Sequence, residues 1–295
     1  MVAQHALIRR AFALLALAAS VTCGAAENFL WEVTSLTNKV YLFGTVHAGK
    51  KDWYPLPSPV EIAFTDSSVL VVEADITNEE AMRKSSEALT YKAPDELKKH
   101  VPPDQYARLL KLLPRYRFTE ADIAHAKPFM AVSLLVFAEW GRSNFHPSYG
   151  VDGYLIRKAQ AEAKPIVEIE GASAQIALMD SLSDREVQQL FRGTLDALDE
   201  DLTTEQIKGL VAAWQGGDPN GLLDVARRYN EKVPGAAEFE EKFIWQRHDE
   251  MLKKIEGWLG ESRKPYFIAV GALHLAGPRG LVERLRKRGY LVKQL

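Results

Sequence analysis

The sequence predicts an α/β protein with a central mixed sheet flanked by helices and a large helical insertion that forms a cap. Three observations support this class. Short apolar runs, typical of strands buried on both faces, recur along the chain. Helical patterns separate these runs, as in α/β sheets. The composition, 47% hydrophobic and 26% charged over 295 residues, is that of an ordinary globular protein.

Five segments have the pattern of strands. Two of them are joined by a polar turn and predict a hairpin at the start of the folded region. The other three are apolar runs, and the last two of these each follow a proline, Pro165 and Pro265. The predicted strands are 29–34, 39–43, 68–73, 166–169 and 266–270.

Helical patterns fill the space between these strands and crowd the middle of the chain. We therefore expect 77–163 and 172–259 to form an insertion that caps one edge of the sheet, within a single domain over 27–295. The chain has no internal repeat of solenoid length. The predicted helices are 77–91, 103–113, 127–140, 151–163, 172–192, 203–214, 218–230 and 235–259.

The first 26 residues have the layout of a cleavable secretory signal. Two arginines at positions 9 and 10 precede an apolar run over 11–19, and small residues lead to a cleavage site after Ala26. The run is too short to span a bilayer, so we expect no integral membrane segment after cleavage. Lipid anchoring at Cys23 is the less well matched alternative. The sequence thus predicts a periplasmic or secreted protein.

Charge and cysteine content exclude several classes of function. The chain has 37 Lys and Arg against 39 Asp and Glu, a net charge of −2, so no basic excess favours a nucleic-acid partner. The single cysteine, Cys23, lies in the predicted signal. The predicted mature chain therefore has no disulfide bond and no thiol chemistry.

Two segments at opposite ends of the chain share one local pattern. Each has an apolar strand, then a glycine, two further residues and a histidine, as Gly44 to His47 and Gly271 to His274. The glycine allows a sharp turn off the strand, so both imidazoles are expected at the sheet edge where open α/β sheets place their sites. For one such histidine alone, a packed or capping role is the simpler interpretation.

Acidic side chains follow two other apolar strands. Glu73 and Asp75 come after one strand, and Glu168 and Glu170 flank Ile169 in the other. Residues two apart on a strand share a face, so each pair can present two carboxylates together. With the two imidazoles they would form a metal site of a kind that suits zinc, manganese, iron or cobalt. The alternative is that these acids cap helices or face solvent.

A positive charge interrupts an apolar helical stripe. Arg247 falls at fourth-residue spacing with Phe239, Phe243, Met251 and Ile255. A guanidinium in that position must be paired or face a cavity, where it could bind a substrate carboxylate or stabilise an oxyanion. Alternatively, its aliphatic stem packs on the stripe while the charge reaches solvent.

The remaining histidines of the predicted mature chain have no partner at the spacing of metal ligands. We therefore expect them to be structural or surface residues. They are His100, His125, His146 and His248.

The motifs, taken in order, resemble the TraB/PrgY/GumN family, which includes the Tiki metalloproteases. The resemblance extends over nearly all of the predicted mature chain and includes both histidine motifs and Glu73. The matching positions are 44–49, 72–75, 150–152, 164–170, 175, 180–182, 247, 251, 270–277 and 288–290.

The resemblance implies a site and an activity. It implies relation to an α/β superfamily that also contains haem-binding lipoproteins and erythromycin esterases. It implies a divalent metal ion, manganese, cobalt or zinc, with His47, His274 and Glu73 as ligands. Glu73, Glu170 and Arg247 are the implied catalytic residues, and which carboxylate is ligand and which is general base stays open.

We therefore expect an exported metal-dependent hydrolase, a peptidase of the Tiki/TraB type, that acts on a peptide or protein substrate. The ion would lower the pKa of a bound water, and a carboxylate would accept its proton. Two alternatives follow from the same resemblance. One is a non-catalytic periplasmic protein that binds a peptide or haem, and the other is an accessory protein of exopolysaccharide production.

Overall fold

A six-stranded mixed sheet forms the centre of the molecule, as predicted. The computed structural model describes residues 27–231 and 233–295, so the predicted signal over 1–26 lies outside the described residues. The strand order is β4-β3-β5-β2-β1-β6. The strands are β1 Leu30–Thr34, β2 Lys39–Thr45, β3 Val69–Val72, β4 Ile166–Glu168, β5 Tyr266–Gly271 and β6 Leu291–Gln294.

Four neighbouring strands run parallel. β2 pairs with β5, β5 with β3, and β3 with β4, whereas β1 lies antiparallel to both β2 and β6. Thr45 is opposite Gly271 in this register, and Val72 is opposite both Ala269 and Glu168. The carboxyl ends of the four parallel strands therefore meet at one edge, which brings together both histidine motifs and both acidic segments.

Helices cover the sheet and build the cap. Their bounds are α1 Ser58–Asp66, α2 Glu79–Ala88, α3 Pro103–Leu112, α4 Glu120–Ile123, α5 Pro128–Arg142, α6 Val151–Ala161, α7 Ala172–Asp180, α8 Asp184–Asp199, α9 Leu202–Gln215, α10 Pro219–Asn230, α11 Ala236–Phe243, α12 His248–Gly260 and α13 Leu281–Lys287. None of these described helices is long and apolar enough to cross a bilayer.

The cap has a hydrophobic core of its own. Side chains from the 97–135 region pack with Phe191, Leu195 and Leu198 of α8, in a cluster that contains no strand residue. Other helices inside the predicted insertion contribute to the sheet's core instead: α6 and α12 bury apolar residues there, and so do α9, with Trp214, and α10, with Leu222 and Leu223. The extent of a single domain over 27–295 stays a prediction.

One buried hydrogen bond ties the cap to the sheet edge. The indole nitrogen of Trp214, in α9, donates to the carbonyl oxygen of Gly44 at 2.7 Å. A Cβ atom added at Gly44 would lie 2.4 Å from the ring of Phe29 and 3.0 Å from the backbone of Ala272. Glycine at this position therefore provides room for close packing between the two motif segments.

Two helices predicted as continuous are each divided in the structure. The helix predicted over 172–192 is interrupted at 181–183, where Ser183 begins α8 in a capping box with Glu186. The helix predicted over 235–259 is interrupted at 244–247, immediately before α12. Periodicity alone missed both breaks because the apolar spacing continues across them. Three helices, α1, α4 and α13, and the edge strand β6 were not predicted from the sequence.

Candidate active site

Arg247 lies at the centre of a buried charge cluster at the carboxyl edge of the sheet. Its guanidinium forms ion pairs with Glu73, which follows β3, and with Glu170, which follows β4. The Arg247 Nε atom lies 2.8 Å from Oε1 of Glu170, and its Nη2 atom contacts both carboxylates. Only 14% of the Arg247 side chain is exposed. The sequence left open whether this guanidinium is paired or reaches solvent; in the structure it is paired.

All five N–H groups of Arg247 have acceptors. Two more contacts complete the set: Nη1 donates to the carbonyl oxygen of Phe243 at 2.7 Å and to Nε2 of His274 at 3.0 Å. A guanidinium has five N–H donors in a fixed plane. In this arrangement Arg247 therefore has no N–H left for an oxyanion or a substrate carboxylate.

Glu73 is held by backbone as well as by charge. Its Oε1 atom accepts the N–H of Gly271 at 2.7 Å, and its Oε2 atom also contacts Gln175 of α7 at 3.4 Å. Burial alone would raise the pKa of Glu73, but the positive charge of Arg247 and the hydrogen bond from the Gly271 N–H lower it to about 2. Glu73 is therefore an anion at neutral pH.

His274 is oriented by a second buried histidine. Nδ1 of His248 lies 3.0 Å from the carbonyl oxygen of Arg279, which can only accept a hydrogen bond. His248 therefore carries its proton on Nδ1, and its Nε2 accepts from Nδ1 of His274 at 2.9 Å. This chain fixes the tautomer of His274 and leaves the Nε2 lone pair directed at Arg247.

Both imidazoles of this pair are neutral. Burial lowers the pKa of His248 to about 4 and that of His274 to about 3. Both residues are fully enclosed by protein. Their role is therefore that of a hydrogen-bonded pair of fixed orientation.

His47 occupies a different environment. Its Nδ1 atom lies 2.9 Å from Asp152 Oδ2, and the other oxygen of Asp152 accepts from the hydroxyl of Thr45 at 2.5 Å. The Asp152 carboxylate raises the pKa of His47 above its usual value. The His47 side chain is 64% exposed, so its other ring nitrogen is accessible to a ligand. The Asp152 carboxylate therefore fixes the orientation of the His47 ring.

The structure brings most of the predicted site residues together. Glu73, Glu170, Arg247 and His274 are in direct contact, whereas His47 is near enough for the charges of Glu73 and Arg247 to affect its pKa. The other two predicted acids contact each other instead: the carboxylate of Glu168 accepts the backbone N–H of Asp75 at 2.6 Å.

Three residues that hold the side chains of this site in place were not predicted from residue patterns: His248, Asp152 and Gln175. His248 was expected to be a structural or surface residue with no partner at the spacing of metal ligands; it is buried, and its imidazole is hydrogen-bonded to His274. Asp152 and Gln175 appeared only within the resemblance to the family. The one local signal for His248 is that it directly follows Arg247, since neighbours at the start of a helix can reach the same cluster.

The predicted metal site does not form in this arrangement. Among residues 27–231 and 233–295, no group of three or more His, Cys, Asp or Glu side chains could hold a metal ion. The donor types at Glu73, Glu170 and His274 suit a divalent ion. However, all three side chains contact the guanidinium of Arg247. The residues as placed here therefore do not fit a metal.

Comparison with known proteins gives one consistent family. The model of the TraB/PrgY/gumN family matches residues 29–294. The chain is 22% identical over 271 residues to the uncharacterized protein YbaP of Escherichia coli (strain K12), a match that covers 88% of this chain and 94% of YbaP.

Animal proteins named as metalloproteases also match. The chain is 25% identical to a Metalloprotease TIKI homolog of Amphimedon queenslandica and 23% identical to Metalloprotease TIKI1 of Danio rerio. These matches cover 91% and 90% of this chain but only 62% and 63% of the relatives. No solved structure has a significant match to the chain.

Proposed function

This chain belongs to the TraB/PrgY/gumN family, and from that premise we propose that it is an exported hydrolase that cleaves a peptide bond. The observation that carries the proposal is His47, an exposed imidazole oriented by Asp152, beside the buried cluster of Glu73, Arg247 and His274. The relatives named as metalloproteases support a peptide or protein substrate.

In this proposal His47 transfers the proton. Asp152 accepts from Nδ1 of His47 and so directs the opposite ring nitrogen outward, where it can exchange a proton with a water or with the leaving amine. Thr45 bonds the second oxygen of Asp152 and holds the carboxylate in place. An ionised Asp152 also stabilises the imidazolium form of His47.

The buried cluster supplies a fixed electrostatic environment next to His47. With a pKa of about 2, Glu73 keeps its charge and is a poor proton acceptor at neutral pH. Glu73 and Glu170 instead hold Arg247, whose positive charge is fixed in a buried, preorganised position. We therefore assign Arg247, Glu73 and Glu170 a positioning and electrostatic role.

The names of two relatives contain the word metalloprotease, which suggests a metal ion. The family resemblance implies that this ion would be divalent manganese, cobalt or zinc. His47, Glu73 and His274 are the ligands that the sequence favoured. Arg247 contacts both Glu73 and His274, so two of these three ligands are already engaged. The proposed steps therefore use no metal ligand. Export, which the first 26 residues predict, is part of the proposal.

A peptide-library screen tests this function. The purified exported protein is incubated with a mixture of peptides of varied sequence, with and without added divalent ions, and new termini are identified by mass spectrometry. We expect cleavage by the native protein and by a His125→Ala control, whose imidazole lies on the surface of the cap. We expect none by His47→Ala. Cleavage by all three proteins, or by none under any condition, would contradict the proposal.

A further inference from the structure

Three potential metal donors converge on one guanidinium. Nη1 of Arg247 lies 3.0 Å from Nε2 of His274, its Nε lies 2.8 Å from Oε1 of Glu170, and its Nη2 contacts Glu73. Each donor side chain is largely buried, with 2% of His274 and about a seventh of each carboxylate exposed. No other cationic side chain contacts these three groups in the part of the chain that the structure describes.

The Nε2 lone pair of His274 can bind either the guanidinium of Arg247 or a metal ion, but not both. The hydrogen bond to His248 places the only ring proton on Nδ1, so Nε2 has a single lone pair in the ring plane. A metal ion such as zinc would need that lone pair at about 2.0–2.1 Å. Arg247 already donates an N–H to it, and one lone pair cannot serve both.

The backbone also holds the guanidinium of Arg247 in place. Its Nη1 atom donates to the backbone oxygen of Phe243, so the guanidinium is fixed by the main chain as well as by the two carboxylates. Two anions face one cation here, and a second, divalent cation would be placed within a few ångströms of the guanidinium. At that distance like charges repel strongly in a buried site.

We infer that the resident cation of this site is the guanidinium of Arg247, and that Arg247 excludes divalent ions from Glu73, Glu170 and His274. Removing the guanidinium leaves two carboxylates and one oriented imidazole around a vacated, negatively charged space. That donor set is the kind that binds manganese, cobalt or zinc. The substitution therefore opens these three donors, which Arg247 occupies in the native chain, to a metal ion.

Metal titration tests this inference directly and needs no substrate. The native protein, Arg247→Met and an Arg284→Met control are treated with chelator, dialysed, and titrated with Mn²⁺, Co²⁺ and Zn²⁺ by calorimetry. Methionine keeps an apolar stem but removes the charge, and Arg284 is paired with Asp249 on the surface. We expect Arg247→Met to bind one equivalent at least about 10-fold more tightly than the other two proteins.

A double variant locates the gained site. Adding His274→Ala to Arg247→Met is expected to return metal affinity to the native level. Should Arg247→Met fail to fold, Arg247→Lys replaces it, because a single ammonium cannot hold both carboxylates and His274 together. One equivalent of tightly bound metal in the native protein would overturn the inference, and so would equal affinities in native and Arg247-substituted proteins.

Discussion

Asp152 determines which ring nitrogen of His47 is left without a protein partner at the exposed face of the ring. The glycine motif marks His47 in the sequence, but Asp152 is 105 residues away and becomes its partner only through the fold. The same is true of His248, whose contact with His274 depends on the break before α12. The sequence thus predicts which polar side chains lie at the strand ends, but it does not predict their hydrogen-bond partners.

Asp152→Asn is predicted to lower peptide-cleavage activity by about 10- to 100-fold, because the amide orients His47 less well and removes the charge that stabilises its imidazolium. Initial rates on a cleaved peptide provide the measurement. Glu168→Gln is the matched control, since Glu168 lies at a neighbouring strand end but contacts only backbone. Equal losses in both variants would argue against a specific role for Asp152.

Glu73→Gln is predicted to lower the free energy of unfolding by about 3 kcal/mol, because it leaves Arg247 with an incomplete set of buried anions. Urea denaturation measures this change. The exposed Glu168→Gln variant is expected to stay within about 0.5 kcal/mol of the native value. A Glu73→Gln protein as stable as the control would show that the cluster contributes little to folding.

At the scale of elements, a buried carboxylate joins the cap helices. Glu139 of α5 is 2% exposed and accepts hydrogen bonds from Tyr116 and from Thr204 of α9, both at 2.7 Å. Burial alone would raise the pKa of Glu139, but these bonds and the charges of Arg115 and Arg142 lower it. The sequence shows Glu139 only as one acid within an apolar helix, so its partners could not be predicted.

Glu139→Ala is predicted to destabilise the cap by about 3 kcal/mol, since Arg115 and two hydroxyl groups lose their shared acceptor. Because the cap has a separate core, we expect amide hydrogen exchange to accelerate mainly in α3, α5 and α8. Glu205→Ala, on the surface of α9, is the control. Uniform acceleration through the sheet as well would contradict an independent cap core.

The capping box at the start of α8 gives a pH-dependent prediction. Hydrogen bonds from Lys242 and Ser183 lower the pKa of Glu186 to about 2 in the folded state. A depressed folded pKa contributes stability that is present above the unfolded value near 4.5 and is lost as the pH falls toward 2. Glu186→Gln is therefore expected to cost about 1 kcal/mol at pH 7. Its deficit should shrink below about pH 4.5, and a deficit that is constant from pH 7 to pH 3 would be inconsistent with this assignment.

At the scale of the whole molecule, parallel pairing brings the site together. β2 and β5 are far apart in sequence, yet their register places Thr45 beside Gly271, so the two histidine motifs extend from one sheet edge. The alternation of apolar runs and helices was sufficient to predict this sheet class. The same alternation did not predict where α6 and α12 pack: they lie on the sheet and not in the cap. Their apolar stripes look the same whichever core they face.

The most direct test of the central claim, that the sheet-edge site hydrolyses peptides through His47, is the turnover of a cleaved peptide by the native protein and by His47→Ala. The proposal predicts a loss of about 10²- to 10⁴-fold in kcat for His47→Ala, in a protein that still folds because the side chain is largely exposed. Undiminished turnover in a folded His47→Ala protein would contradict the claim.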